Sequence, residues 1–140
     1  MKVLIIGSMA FVKDMVDVRK QLKKMGHTAN IPYGIKPHLK DKKFVDNLEA
    51  NIKFCIKNNV MKRNFDLVVK NDAVLVLNKK RNAIDGYIGV SALMEMAIAH
   101  HNNKKVFLMH EIPHFSHYRW AHEVAIMQPI VLNGDLSKIE

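Results

Sequence analysis

Short apolar runs alternate along this chain with longer stretches of helical period. Val3 to Ile6 and Ala73 to Leu77 are continuous Val/Leu/Ile/Ala blocks without polar alternation, as expected of parallel strands buried on both faces. Between them, Phe11, Met15, Val18, Leu22 and Met25 fall on one face of a helix spanning about Ala10 to Met25. Gly26 follows as a stop signal. A short second strand is predicted over Thr28 to Ile31, closed by Pro32. Residues 33–46 carry no period and read as a long mobile loop, a kind of segment that is often functional. A helical region covers about Asn47 to Lys70, and its apolar phase slips near Asn58-Asn59, which predicts a kink or two helices.

The later half repeats the pattern. A helix is predicted from about Gly89 to His101, a strand over Val106 to Met109, a short helix near His117 to Ile126, and a last strand over Ile130 to Leu132. This β-α alternation predicts an α/β protein: a flavodoxin-like or Rossmann-like three-layer sandwich with a five-stranded parallel sheet in the order 2-1-3-4-5. A length of 140 residues suits one domain over 1–140 and leaves no room for two.

Composition narrows the setting. A hydrophobic fraction of 49% and a charged fraction of 25% are ordinary for a soluble globular chain. No apolar run approaches the roughly 20 residues of a membrane helix, and the N-terminal apolar run is too short for a signal peptide. With Cys55 as the only cysteine, no internal disulfide is available, so a cytoplasmic location is expected. The net charge of +9 favours anionic ligands. Between Lys36 and Arg63 there are eight Lys/Arg against three acids. That surplus reads either as a solvated face or as a rim that attracts phosphate. Nucleic-acid binding is possible but not favoured, because no basic-aromatic motif accompanies the charge.

Several α/β chemistries are excluded by motif. Gly7 stands alone where a dinucleotide fingerprint needs three glycines, and no Walker lysine is present. Gly7-Ser8 and Asn78 occupy the places where a phosphorelay receiver needs acids. Around Ser91 the second glycine of a hydrolase elbow is missing. His110, His114, His117 and His122 share no helical face and have no cysteine nearby, so no metal and no cofactor is expected. They read as surface or pocket histidines, with His110, at the carboxyl edge of its strand, the one placed to touch a ligand.

The conspicuous residue is Glu95, set in the apolar stretch Ile88 to Ala99. A buried charge costs several kcal/mol unless paired or used. The bland reading is a half-exposed helical glutamate or one paired with a lysine. The functional reading starts from position: early helical turns after a strand lie at the sheet's carboxyl edge, where open α/β folds bind ligands. In the second turn, the helix N-terminus is expected to help keep Glu95 ionised. A carboxylate there can attack or stabilise an electron-poor sugar carbon.

Gly7-Ser8-Met9 after the first strand, Asp72 to Asn78, and Tyr87-Ile-Gly89 leading to Glu95 and Ala99 together resemble the nucleoside 2-deoxyribosyltransferase-like superfamily, which includes deoxynucleoside monophosphate N-hydrolases. The ending Met127 to Leu136 is similar to that of its small archaeal-type members. The resemblance spans nearly the whole chain and rests on the order and spacing of short motifs. It implies a flavodoxin-like fold, cleavage of the bond between a base and a (deoxy)ribose, and Glu95 as nucleophile. It also implies that Gly7, Ser8 and Met9 line the substrate pocket, and a homo-oligomer whose neighbouring subunit completes the site. Beside what the resemblance implies, Asn78 and Tyr87 are expected to contact the sugar, and Gly89, Ser91 and His110 are further candidate substrate contacts.

The sequence departs from that pattern in several places. Leu4 stands where the nucleotide hydrolases carry a tyrosine, and Ala10 where an arginine follows the turn. Asn59 or Asn64 falls at the place of an acid, with Asp66 close by. Ala92 replaces a hydroxyl residue, with Ser91 one step earlier, and Ala97 replaces a glycine. Tyr87, Asp66, Asp85 and His110 are the available substitutes for the lost helpers. Three functions follow from this reading: an N-glycosidic bond enzyme acting on a nucleoside or its 5′-monophosphate, a nucleotide-binding module without turnover, and, least favoured, a nucleic-acid binder through the basic segment.

Overall fold

The computed structural model describes all residues, 1–140, and places a five-stranded all-parallel sheet at the centre in the order β2-β1-β3-β4-β5. The strands are β1 (Lys2–Ile6), β2 (Thr28–Asn30), β3 (Ala73–Val76), β4 (Lys105–Leu108) and β5 (Ile130–Val131). Six α-helices connect or flank them: α1 (Val12–Lys24), α2 (Lys36–Lys40), α3 (Leu48–Lys57), α4 (Val60–Lys70), α5 (Val90–His101) and α6 (Arg119–Ile126). No helix is long and apolar enough to cross a membrane. This is an α/β, Rossmann-like fold with the predicted strand order.

Successive side chains of a strand point to opposite faces, so the apolar blocks feed two cores. Val3, Ile5, Leu75 and Phe107 pack with Met15, Val18 and Leu22 of α1 on one face. Leu4, Ile6, Val74 and Leu108 pack with Val68 of α4 and with Ala92, Met96 and Ala99 of α5 on the other. The sheet is therefore covered on both sides, which is why β1 and β3 show no polar alternation.

Two features shape the carboxyl edge. Ile6 is in register with Val76, and Val76 with Leu108, so three strands end level and their loops emerge together. Gly7 then turns with φ +152°, and a Cβ on it would lie 3.0 Å from the backbone oxygen of Leu77. Only glycine permits that approach without displacement. Asn78 ties the next two strand ends: its Nδ2 donates to the His110 carbonyl at 2.6 Å and its Oδ1 accepts from the His110 N–H at 2.9 Å.

The structure differs from the sequence expectation in the segment 33–46. It is not a long loop: α2 and a 3-10 turn, Phe44–Asp46, fold over the sheet edge. His38 packs edge-on against Phe44, and Phe44 against Phe54 of α3, so a small aromatic cluster orders the segment. The helical region beyond it is two helices, separated at Asn59, which takes a left-handed φ of 50°. Asparagine tolerates that conformation better than most residues.

Candidate functional site

A cavity of about 300 Å³ lies at the carboxyl edge, between the turn after β1, the segment 33–46, helices α3 and α4, and the first turns of α5. That size is at the lower end of the roughly 300–1,000 Å³ usual for small-molecule sites. Gly7, Ser8 and Met9 line it from the β1 turn, and Gly89, Ser91 and Glu95 from α5. Tyr33 and His38 come from the segment expected to be a loop, and Asn51 from α3. No lysine or arginine is on the wall, and Glu95 is its one carboxylate.

Glu95 is 7% exposed, and its Oε2 is buried without a hydrogen-bond partner. It takes no part in any of the structure's ion pairs, so the lysine-paired reading of this residue does not apply. Burial pushes its pKa up from 4.5 to about 7. This corrects the expectation that the helix N-terminus keeps Glu95 ionised. The dipole's influence fades beyond the first turn, Glu95 sits in the second, and desolvation dominates there. At neutral pH the group lies near the midpoint of its titration, a range suited to exchanging a proton or acting as a nucleophile.

Other residues singled out from sequence lie off this wall. Asp66 is exposed, because α4 turns Asn64 and Phe65 toward the cavity and the next position rotates away by about 100°. Asn78 is fully buried and off the wall, with each end of its amide bonded to the His110 backbone, so it is placed to hold the loop and not to meet a sugar. The His110 side chain is exposed and absent from the wall. Tyr87 stands behind Gly89: a Cβ built on that glycine would meet its hydroxyl at 3.8 Å. Asp85 is exposed. His110, His114, His117 and His122 assemble no metal-holding group. Asn64, one of the two places where the resemblance loses an acid, does line the cavity, but its Oδ1 accepts from the Tyr33 N–H at 2.8 Å.

Two residues escaped the sequence reading. His38 is 6% exposed, lines the cavity, and has an Nδ1 buried with no partner. Burial also lowers its pKa from 6.5, so the ring is uncharged at neutral pH. Arg81, in the loop after β3, hydrogen-bonds the Ser8 Oγ and pairs with Asp46 at 2.8 Å. A guanidinium therefore reaches the β1 turn through space, although none follows Met9 in sequence. Its side chain is 17% exposed. Cys55 is also on the wall, with its thiol pKa raised by burial, so it stays protonated.

No protein-family model matches the chain, and no curated protein matches it. Among solved structures it is similar to the Clostridium botulinum CMP N-glycosidase BcmB, with 14% identity, 94% of this chain and 85% of that one covered, and a TM-score of 0.48.

The buried carboxyl has a consequence for stability. Its folded pKa of about 7 exceeds the ordinary 4.5, so between those pH values the folded chain holds a proton that the unfolded chain releases. This group's contribution is therefore complete below about 4.5 and is lost as pH rises to about 7. Glu95→Gln cannot ionise. We expect its stability relative to the natural chain to rise by up to about 3 kcal/mol between acidic and alkaline pH, measured by urea unfolding at pH 5 and pH 8. Equal differences at both values would show that Glu95 titrates normally.

Proposed function

We propose that the protein cleaves the N-glycosidic bond of a (deoxy)nucleoside or its 5′-monophosphate, with Glu95 as nucleophile. The observation that carries this reading is an unpaired, buried carboxyl group on the wall of a small, largely apolar cavity. The ionised carboxylate forms a bond to C1′ as the C1′–N bond breaks. The bonding pair leaves with the base, which takes a proton from water. Water then attacks C1′, frees the carboxylate and releases one proton; a second base in place of water gives transfer. In this reading Gly7, Ser8, Met9, Gly89 and Ser91 contact the substrate.

Two features support a 5′-phosphate. Gly89, the N-cap of α5, provides no side-chain cap, and Gly89, Val90 and Ser91 line the cavity; helix N-termini favour anions. Arg81 stands at the Ser8 turn, where a phosphate can compete with Asp46 for the guanidinium. A second reading, a nucleotide-binding module without turnover, is favoured by the placement of Asp66 and His110 on the surface and of Tyr87 behind Gly89.

The partner proposed for this chain is a second copy of itself. Leu48, Ile52 and Ile56 form an exposed apolar stripe on α3, and Val90 and Met94 are exposed on α5. Leu48, Val90 and Met94 also line the cavity, so a neighbour seated on this surface closes the site. Sedimentation should give at least twice the 16.1 kDa chain mass, and Ile52→Lys should reduce it to one chain. A monomer at micromolar concentration would contradict the proposal.

The activity is tested by incubating the protein with a panel of nucleosides and monophosphates and separating free base by chromatography. Base release is expected, with a loss of about 10³-fold or more in Glu95→Gln. The nucleophile must be ionised, so kcat/KM should climb about tenfold per pH unit below about 7 and level off above it. Arg81→Ala should raise KM for monophosphates about tenfold more than for nucleosides. Release that survives in Glu95→Gln places the nucleophile elsewhere. Thermal stabilisation by nucleotides without any released base selects the binding module.

A further inference from the structure

The cavity holds one carboxylate, whereas enzymes that cleave glycosidic bonds commonly use two, one to engage the anomeric carbon and one to assist the leaving group. No second acid lines the wall. What lines it instead is His38, carried in from the segment 33–46, with its Nδ1 buried and unpartnered. A buried polar atom without a partner is costly to the fold. Among buried side chains, His38 and Glu95 alone carry such an atom, and both belong to the same cavity.

We propose that His38 is the leaving-base contact of this site, its imidazole donating a hydrogen bond to an acceptor on the nucleobase, a purine ring nitrogen or a pyrimidine carbonyl. This rests on the reading of the site as one for nucleosides. The bond strengthens as the base departs with the electron pair of the C1′–N bond, because charge then accumulates on the acceptor. The imidazole keeps its proton, and the base acquires its own from water.

Three observations fit the role. The ring is fixed by edge-on packing against Phe44, 4.9 Å between centroids, so it is held in place before a ligand arrives. It lies in a wall with Tyr33 and Phe65, which offer flat apolar surfaces for a base. Burial lowers the pKa of the ring, so it meets the ligand uncharged, with one donor and one acceptor nitrogen. Asn64, where an acid is lost, is committed at both ends of its amide to the Tyr33 backbone, whereas His38 Nδ1 has no partner.

Two measurements test this. In the first, the natural protein is labelled with 15N-histidine and titrated with free adenine, free cytosine and the corresponding nucleosides. The His38 ring nitrogens should shift, while those of His110, His114, His117 and His122 stay in place. In the second, base release is compared for His38→Phe and His38→Gln with two kinds of leaving group. Adenosine and cytidine lose a base that takes up negative charge; nicotinamide riboside loses one that departs neutral.

His38→Phe should lose tenfold or more in kcat on the first kind and less than threefold on nicotinamide riboside. His38→Gln, which restores a donor, should recover part of the loss. Equal losses on both kinds of leaving group, or ring nitrogens that ignore bound base, overturn the proposal while leaving the glycosidase reading intact. Shifted ring nitrogens with no base released from any substrate remove the enzymatic reading and keep His38 as a base contact. No shift and no release remove both. Should His38→Phe fail to fold, the titration of the natural protein decides alone.

Discussion

A carboxyl group without a partner, buried on the wall of a small cavity, is the constraint on which the rest of this structure turns. The chain is rich in lysine, yet Glu95 is in none of the ion pairs. Desolvation is left uncompensated and raises the group's pKa to about 7, and the free energy so stored stabilises nothing in the unliganded chain. Such an arrangement is typical of sites whose missing partner arrives with a ligand.

The framework serves to hold that group at the sheet edge. Level strand ends bring the loops after β1, β3 and β4 together, and the absence of a side chain on Gly7 lets the first loop pass close to Leu77. The Asn78 amide, bridging to His110, fixes the neighbouring loop without entering the site. Arg81 joins Ser8 to Asp46 and so links the β1 turn to the segment folded above it. Aromatic packing of His38, Phe44 and Phe54 keeps that segment ordered. The cavity is thereby bounded by α3, α4, α5 and the segment 33–46.

Most of the architecture was legible because it follows from local period. Unbroken Val/Leu/Ile runs marked the strands of a sheet covered on both faces, and the slipped phase at Asn58-Asn59 marked a kink or a break, which is a break between two helices at a left-handed asparagine. Glu95 was legible for the same reason, as one charge inside an apolar period. The segment 33–46 was not, since a five-residue helix and a three-residue turn are too short to show a repeat. His38 was hidden with it, among lysines and a proline that suggest a solvated loop. The Arg81 contact with Ser8 spans 73 positions and the Asn78 contacts are made to backbone, and neither leaves a trace in composition or spacing. Asp66 misled because the inner face of α4 is marked by Asn64 and Val68, and a buried asparagine leaves no signal in a hydrophobic pattern.

The central claim is that Glu95 bonds covalently to the sugar, and trapping that bond tests it most directly. Fluorine at C2′ disfavours the electron-poor transition state and slows breakdown of a glycosyl-enzyme. Incubation with 2′-fluorinated nucleosides and their monophosphates, followed by intact-protein and peptide mass spectrometry, should show one added glycosyl group per chain, located on the peptide containing Glu95. Base released in step with enzyme concentration but with no added mass, or an adduct on a different side chain, would contradict the account.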